Sequence, residues 1–247
     1  MLRVLTADLH IHTCLSPCAS LDMTPRKIVA KALELKLAMI AVTDHNSAEN
    51  TAAVMTVADG TELCVIPGLE ITTAEEAHVV ALFGDREAAV SMQELVYEHL
   101  QPGENVVDLF GMQVVANEND EVEAMNPRLL IGATTLSVNQ VVDGIHEREG
   151  LAIAAHIDRE GYSLVAQLGF IPPDLELDAV EISRRLSLPA ARERFPEYEA
   201  RPFITASDAH DLDGLGLSPT SFRVASPGFD ELRLALKGAE GREIVDG

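Results

Sequence analysis

The sequence lacks most of the features that identify membrane, secreted and disulfide-bonded proteins. It has no tryptophan and only three cysteines, Cys14, Cys18 and Cys64, an odd and sparse set that argues against a disulfide framework. No apolar run reaches the roughly 18 residues of a membrane span. The first residues, MLRVLTADLHIH, lack the basic and apolar regions of a secretory signal. We therefore expect a cytoplasmic protein with no membrane partner.

Basic residues are also scarce. The chain has 18 Lys and Arg against 40 Asp and Glu, which gives a formal net charge of −22. Long nucleic acids are bound mainly through clustered Lys and Arg that neutralise phosphates. The composition therefore predicts that no long nucleic acid is bound, whereas a small phosphorylated substrate would be easier to accept, with very short oligonucleotides left as an alternative. We interpret the acidic excess as a solvated surface that promotes solubility and concentrates divalent cations.

Seven short buried-type segments alternate with helical segments, which is typical of a parallel sheet with crossover helices. The chain has 247 residues, of which 47% are hydrophobic, so it suits one large domain or two small ones. Single α/β barrels reach this size. The predicted strands are residues 2–8, 39–43, 63–68, 78–83, 151–156, 179–182 and 202–207.

One stretch interrupts this alternation. Residues 101–127, QPGENVVDLFGMQVVANENDEVEAMNP, are rich in Gly, Asn and acidic residues, and their pattern predicts two short strands around a polar turn. No internal repeat or Gly/Ser linker marks a second domain. We therefore expect a single domain over residues 1–247 with a hairpin-like insertion, which is either a lid over a site or a plain surface flap.

Six of the eight histidines lie at ends of predicted strands, and carboxylates accompany them. His10 and His12 are two residues apart on a strand, so both side chains point to the same face. Because α/β barrels build their active sites at the carboxyl ends of strands, these residues are expected to meet. Mixed imidazole and carboxylate ligands suit Zn, Mn and Fe. The full set is His10, His12, His45, His78, His156 and His210, with Asp44, Glu70 and Asp208.

The motifs DLHIHT, VTDHN, GLE, AHIDR and SDAH, with a histidine-bearing strand after the third, resemble in this order the signatures of the PHP (polymerase and histidinol phosphatase) family of metal-dependent phosphoesterases. The resemblance extends from His10 to His210. It implies a distorted (β/α)7 barrel, which agrees with the seven strands counted independently. It also implies two or three divalent metal ions at the carboxyl-terminal mouth of the barrel.

The resemblance also implies which residues bind these ions. His10, His12, Glu70 and Asp208 would hold one metal, and Glu70 would bridge to a second metal held by His78 and His156. A third metal would take His45 and His210. The remaining ligand of the third metal does not match the family pattern. Cys18 occupies the nearest equivalent position, and Asp22, a few residues later, is the alternative. A Cys18 thiolate would favour Zn or Fe over Mn.

Supporting roles follow from position. Asp44, beside His45, is expected to hydrogen-bond a ligand histidine, with helix capping near Ser47 as the alternative. Three arginines at strand ends, Arg159, Arg184 and Arg185, are expected to bind substrate phosphate, with surface ion pairing as the alternative. The sequence offers no clear general acid and does not indicate an oligomeric state.

We therefore interpret the chain as a phosphatase or phosphodiesterase in which a hydroxide bridging two metals attacks the phosphorus of a small phosphorylated metabolite or nucleotide. Glu70 and Asp208, supported by Asp44, would be the central catalytic side chains. Two alternatives stay open. The first is a catalytically silent metal-binding module with a regulatory or interaction role, and the second is a metal-dependent amide or lactone hydrolase. The silent module is disfavoured because eight of the nine family ligand positions are filled. The amide or lactone hydrolase is disfavoured because such enzymes usually carry a metal-bridging lysine at a strand end, and no lysine lies at such a position here.

Overall fold

All seven predicted strands are present in the computed structural model, which describes residues 1–245, and they form one curved sheet with two further strands. The strands are β1 (Arg3–Ile11), β2 (Met39–Val42), β3 (Cys64–Thr72), β4 (His78–Leu82), β5 (Val114–Ala116), β6 (Val122–Met125), β7 (Leu151–Ala154), β8 (Ala179–Ile182), β9 (Phe203–Thr205), β10 (Thr220–Val224) and β11 (Glu243–Val245). The helices are α1 (Pro25–Glu34), α2 (Thr51–Ala58), α3 (Arg86–His99), α4 (Val107–Phe110), α5 (Val138–His146), α6 (Leu164–Leu168), α7 (Leu188–Arg194) and α8 (Phe229–Leu236), with a 3₁₀ turn at Pro196–Tyr198.

The sheet curls into a nearly closed barrel. Its strand order is β11, β10, β1, β2, β3, β4, β7, β8, β9. The two ends of the seven-strand part approach each other where Ile11 at the end of β1 forms a bridge with Ala209, just after β9. The distorted (β/α)7 barrel predicted from the sequence is therefore confirmed. Strands β10 and β11, which the sequence analysis did not predict, extend the sheet antiparallel beside β1.

The expectation of a wholly parallel sheet is wrong at one strand. β4 runs antiparallel to both of its neighbours, β3 and β7. Only residues 73–77 connect β3 to β4, and a parallel crossover needs a dozen or more residues. The reversal places the first residue of β4, His78, at the end of the barrel where the other strands finish.

A β-bulge near the end of β1 changes which side chains face the barrel interior. Asp8 pairs with Ile40, whereas Ile11 pairs with Val42, so three steps along β1 match two along β2. This extra residue is a bulge, which re-aims the side chains that follow it.

The consequence of the bulge is visible in the packing. Leu9 belongs to the apolar cluster of the barrel interior, whereas Ile11 packs outward with the buried face of α1. His10 and His12 then point inward at the mouth, as their contacts with the other site residues show.

The opposite end of the barrel is closed by apolar packing. Leu232, Ala235 and Leu236 of α8 are buried and join the interior cluster with residues such as Met39 and Leu151. The remaining helices, except the exposed α4, cover the outside of the barrel in two further apolar clusters. None of the helices in the described part of the chain has the length and apolar character needed to cross a bilayer. The cytoplasmic location stays a prediction.

The predicted hairpin is present. β5 and β6 form an antiparallel pair, and the short helix α4 precedes them. The hairpin docks on the loop after β1, where the amide of Val114 donates to the carbonyl of Cys14 over 2.9 Å. Asn50 ties it further, because its side chain donates to the carbonyl of Val114 and accepts from the amide of Ala116. The assignment of residues 101–127 as an insertion in one domain stays a prediction.

Candidate metal centre

The histidines and carboxylates predicted from scattered motifs lie together at the mouth of the barrel. Three sets of three ligand atoms lie within 4.8 Å of one another, and together they include seven of the nine predicted metal-binding residues. The sets are His10, His12 and Asp208; His45, Glu70 and His78; and His12, His45 and His210.

Glu70 is the centre of this arrangement. It is almost fully buried, and its two carboxylate oxygens face five imidazoles. Nitrogen-to-oxygen distances are 3.3 Å to His10, 3.4 Å to His12, 3.0 Å to His45, 2.8 Å to His78 and 3.3 Å to His156. A carboxylate between two groups of imidazoles has the placement that a ligand bridging two cations requires.

Asp208 completes the other side of the site. Its Oδ1 lies 3.4 Å from His10 Nε2, 3.2 Å from His12 Nε2 and 3.5 Å from His210 Nδ1. Both Asp208 and His156 have positive backbone φ angles, 49° and 30°, which are rare for residues with a side chain. Such strained conformations concentrate at functional sites, where the surrounding structure enforces them.

Three imidazole nitrogens at the mouth indicate that the site is built for cations. The Nδ1 atoms of His45, His78 and His156 are buried and have no hydrogen-bond partner among the described residues. A Glu70 oxygen lies within 3.0 Å of the Nδ1 atoms of His45 and His78, but the angles do not allow a hydrogen bond. The Nδ1 atoms of His45 and His78 both face the Glu70 carboxylate, and unpaired nitrogens placed in this way fit a metal ion held by these three residues. His156 approaches the same carboxylate with its Nε2 instead.

A second layer of residues fixes the imidazole rings. His10 Nδ1 lies 2.9 Å from Glu181, whose other carboxylate oxygen accepts from the amide of His156. His12 Nδ1 lies 2.9 Å from Ser16 Oγ. Such contacts leave the Nε2 atoms of His10 and His12 directed at the centre and set their tautomers. The sequence analysis missed Glu181 and Ser16, although a glutamate inside the apolar strand AVEI is a signal, because buried carboxylates need partners.

Asp44 lies one step further from the centre than predicted. Its carboxylate accepts from the amide and hydroxyl of Thr13, both over 2.7 Å, and from Ser16 Oγ over 2.6 Å. It therefore reaches His12 only through Ser16 and does not contact a ligand histidine itself. Asp44 does not cap a helix either, because its carboxylate is directed to the loop after β1.

Cys18 and Asp22, the two alternatives for the last ligand, have different positions. Cys18 lines the same cavity as His45 and His210. Desolvation opposes its ionisation, but hydrogen bonds with His210 and His45 lower the pKa of its thiol to about 6. Asp22 instead forms an ion pair with Lys27 at the surface and does not line the cavity. Of the two, only Cys18 is placed to act with His45 and His210.

The ionisation of the cluster favours cations. Burial opposes charge on Glu70, but His78, His10 and His45 outweigh it and hold the pKa of the carboxyl well below its usual range. Burial also lowers the pKa of His78 to about 4, and burial with neighbouring imidazoles lowers that of His12 well below its usual value. The carboxylates act in the opposite direction on two other rings: despite burial, Glu181 and Glu70 raise the pKa of His10 well above its usual value, and Glu70 with Cys18 raises that of His45 to about 10. Because histidine binds metal as the neutral imidazole, a bound cation would displace these protons.

A cavity of about 670 Å³ lies above this cluster. Arg159, Arg185 and Arg194 line its walls, and Arg159 forms an ion pair with Asp208. Tyr162 also lines it, half exposed, with its ring stacked 4.8 Å from that of His78. The third predicted arginine, Arg184, does not line this cavity but a smaller pocket beside it.

Comparisons with known proteins identify the family. The PHP domain family matches residues 8–160. The chain is 24% identical to the 5′-3′ exoribonuclease Rnm of Escherichia coli (strain K12), over 83% of this chain and 84% of that protein. Its fold resembles the lesion-specific endonuclease PfuEndoQ from Pyrococcus furiosus, with a TM-score of 0.78, 20% identity and 98% of this chain covered. An Endonuclease Q complex with a 27-mer duplex carrying an abasic lesion gives a TM-score of 0.74 at 18% identity. The chain spans 58% of the length of both endonuclease chains.

These relatives overturn the expectation that long nucleic acid is excluded as a partner, since all three act on nucleic acid by name or by bound substrate. The expectation was based on net charge, which averages over the whole surface. Four of the 18 basic residues, Arg159, Arg184, Arg185 and Arg194, line the two cavities at the mouth. Local charge at a binding site, and not the total, decides whether phosphates are accepted.

The family match covers more than half of the chain, and the residues of its motifs converge on a site suited to divalent cations. The chain therefore belongs to the PHP family and is a metal-dependent hydrolase that acts on phosphate esters.

Proposed function

We propose that this protein hydrolyses a phosphate ester at the end of a nucleic-acid strand. The observation that carries the proposal is the combination, in one cavity, of a cation-binding floor, arginines on the walls and an exposed aromatic ring. The name of the Escherichia coli relative, a 5′-3′ exoribonuclease, supports action at a strand end.

In this proposal the metal ligands are divided as the family motifs suggest. His10, His12, Glu70 and Asp208 hold one divalent ion. Glu70 also contacts a second ion, with His78 and His156. His45, His210 and Cys18 hold a third. Zn, Mn and Fe fit the nitrogen and oxygen ligands of the first two ions, whereas the sulfur ligand of the third favours Zn or Fe. When bound, such ions supply positive charge for the phosphoryl oxygens and activate water.

The remaining side chains hold the ligands and the substrate. Glu181 fixes the ring of His10, and Asp44 fixes that of His12 through Ser16. Arg159 and Arg185 bind the non-bridging oxygens of the reacting phosphate, because a planar guanidinium matches two phosphate oxygens at once. Arg159 reaches this position from its ion pair with Asp208.

Tyr162 provides the contact that distinguishes a nucleotide from other phosphate esters. Its side chain is 51% exposed, and its ring is held by stacking on His78. An aromatic face at the mouth stacks with a nucleobase of any sequence, which is worth about 1 to 3 kcal/mol per base. A terminal nucleotide would then lie with its base on Tyr162 and its phosphate between the arginines.

A small phosphorylated metabolite or free nucleotide is the second candidate. The volume of about 670 Å³ favours it, because this lies within the range of pockets that enclose a whole small molecule. A catalytically silent module is less well supported, because the residues at the family's ligand positions converge.

The test is phosphate and nucleotide release by the purified protein, loaded separately with Zn, Mn or Fe and analysed for bound metal. The substrates are 5′-phosphorylated RNA and DNA oligonucleotides, the same strands with an internal label, mononucleotides and histidinol phosphate. We expect mononucleotides to be released stepwise from strand ends. Turnover of histidinol phosphate or mononucleotides alone would favour the second candidate. Bound metal without turnover of any substrate would contradict both.

A further inference from the structure

The hairpin segment, residues 101–127, does not cover the metal centre. The structure describes all of these residues, and none of them lines the cavity above the cluster. The segment instead docks on the loop after β1, residues 12–24, which carries Ser16 and Cys18. Any influence of the segment on the site therefore passes through this loop.

The loop is bonded to two histidines of the metal centre. Ser16 Oγ accepts from the amide of His45 over 3.1 Å, and the amide of Ser20 donates to the carbonyl of His210 over 2.8 Å. Cys18, between these two contacts in the sequence, lines the cavity beside the same histidines. The position of the Cys18 thiol relative to them thus depends on how the loop is held.

The hairpin segment holds the first part of the loop. The amide of Val114 donates to the carbonyl of Cys14 over 2.9 Å, and the side chains of both residues form a small apolar cluster with Ala116. Asn50, which is fully buried, donates to Thr13 Oγ1 over 2.8 Å and to the carbonyl of Val114 over 3.0 Å. The beginning of the loop and strand β5 are therefore joined by both polar and apolar contacts.

The turn between β5 and β6 holds the far end of the loop. The carboxylate of Asp120 accepts from Thr24 Oγ1 over 2.8 Å and from the amide of Arg26 over 2.9 Å. Both donors lie at the N-terminus of α1, where free amides and the helix dipole favour a carboxylate. The hairpin segment thus holds the loop at its beginning and at its end.

Gly111 makes the contact closest to Cys18. A Cβ atom at Gly111 would overlap the carbonyl oxygen of Pro17, the residue before Cys18. The φ angle of Gly111 is +102°, in the region that favours glycine. Its own carbonyl accepts from the side chain of Asn105 over 2.8 Å, which fixes the backbone at this place. A side chain at this position would therefore force the segment and the loop apart.

We propose that Gly111 is a positioning residue, through which residues 101–127 hold the loop so that Cys18 reaches the third metal ion together with His45 and His210. The inference rests on the proposed function for the division of the metal ligands. It goes beyond that function by giving the hairpin segment a role as a brace of the metal centre, in place of a lid or a plain surface flap.

The first test follows the third metal ion by spectroscopy. The metal-free protein is titrated with Co²⁺, which gives a near-ultraviolet charge-transfer band when a thiolate binds it, whereas Zn²⁺ has a filled d shell and gives no such signal. We expect this band in the wild type and its loss in Cys18→Ser. In Gly111→Ala the Co²⁺ concentration that produces the band should rise about 10- to 100-fold, as for other residues that hold a metal ligand in place. Binding of the two other ions should not change.

A second test examines the loop without any metal. Cys14 is 2% exposed, whereas Cys18 is exposed, so a thiol reagent should label Cys18 and spare Cys14 in the folded wild type. In Gly111→Ala we expect Cys14 to react at least about tenfold faster, because the loosened hairpin uncovers it by local opening. Peptide mass spectrometry identifies the labelled residue.

A matched glycine separates the contact from backbone strain. Gly60 also has a positive φ angle, +74°, but a Cβ atom there would meet no atom within 4 Å. Gly60→Ala should therefore leave the cobalt band and the reactivity of Cys14 unchanged. Circular dichroism checks that each variant is folded. If Gly111→Ala does not fold, Asp120→Ala loosens the brace at its other end and should shift both measurements in the same direction.

The outcomes separate the brace from the proposed function. Unchanged cobalt binding or unchanged Cys14 reactivity in folded Gly111→Ala, or equal changes in Gly60→Ala, would overturn the brace even if the wild type hydrolyses strand ends. Absence of a thiolate band in the wild type would overturn it as well. A band that depends on Gly111, in a protein that hydrolyses none of the substrates, would support the brace and contradict the proposed function.

Discussion

The two ends of the barrel are built from the same strands but have opposite chemistry. At the end closed by α8, Leu232, Ala235 and Leu236 pack with apolar strand residues. At the mouth, the side chains that replace them are imidazoles and carboxylates whose hydrogen-bonding groups are partly unpaired. The first end gains stability from burial, whereas the second holds buried polar atoms at a cost that bound cations would offset. The comparison indicates that stability and activity can be changed separately, as in other barrels.

The largest effect is expected at the centre of the mouth. Glu70→Gln removes the charge that faces five imidazoles, so at least two metals should be lost and phosphate release should fall at least about 10³-fold, or about 4 kcal/mol. Elemental analysis and a phosphate-release assay measure the two effects. Glu76→Gln, the same exchange at an exposed turn, is the control and should change neither. Full metal content in Glu70→Gln would contradict the bridging role.

The opposite end should respond in stability alone. Leu232 is fully buried, and Leu232→Ala should lower the free energy of unfolding by about 3 kcal/mol, because it leaves a cavity. Urea unfolding measures this change, while kcat/KM below the transition should stay within about twofold. Leu217→Ala, at an exposed position, should change the free energy of unfolding by less than about 0.5 kcal/mol. If Leu232→Ala removed activity from a folded protein, the two ends would not be separable.

A smaller effect is expected one layer behind the mouth. Glu181→Gln keeps the size of the side chain but loses the charge that orients His10, so metal affinity should fall about 10- to 100-fold. Competition with a fluorescent chelator measures the affinity, and circular dichroism checks the fold. Glu193→Gln, on the exposed side of α7, serves as the matched control. Unchanged affinity would mean that Glu181 serves only the structure.

The smallest effect is expected at the rim. Cys18→Ser should remove only the third metal and leave two per chain. Phosphate release should fall less than about tenfold, because the two metal ions that share Glu70 are retained. Cys64→Ser, at the start of β3 and away from the cavity, should retain all metals. A loss in Cys18→Ser as large as in Glu70→Gln would show that the third ion is not separate from the other two.

Much of this arrangement could be predicted from the sequence because strands and ligands leave local signals. Short apolar segments mark the seven strands, and histidines at their ends mark the mouth. The direction of β4 was missed because its residues read the same in either orientation, and only the five-residue connection hinted at a reversal. β10 and β11 were missed because polar residues interrupt their short apolar pattern, Ser221 and Arg223 in β10 and Glu243 in β11.

The site shows a similar limit. The spacing of His10 and His12 predicts that they share a face, but only the bulge in β1 decides which face. Glu181 comes from a strand 171 residues away from His10, and no spacing rule connects the two. Net charge failed for a different reason, since it contains no information on where the arginines lie.

The reversed strand also determines where this barrel can vary. Because β4 finishes at the end closed by α8, α3 returns toward the mouth, and the connection from α3 to α5 passes there, where the amide of Thr134 donates to the carbonyl of Thr72. The hairpin within this connection contributes no strand to the main sheet. Changes of length within residues 101–127 are therefore expected to leave the register of the main sheet intact, provided that the hydrogen bonds of Val114 and Ala116 that dock the hairpin are kept.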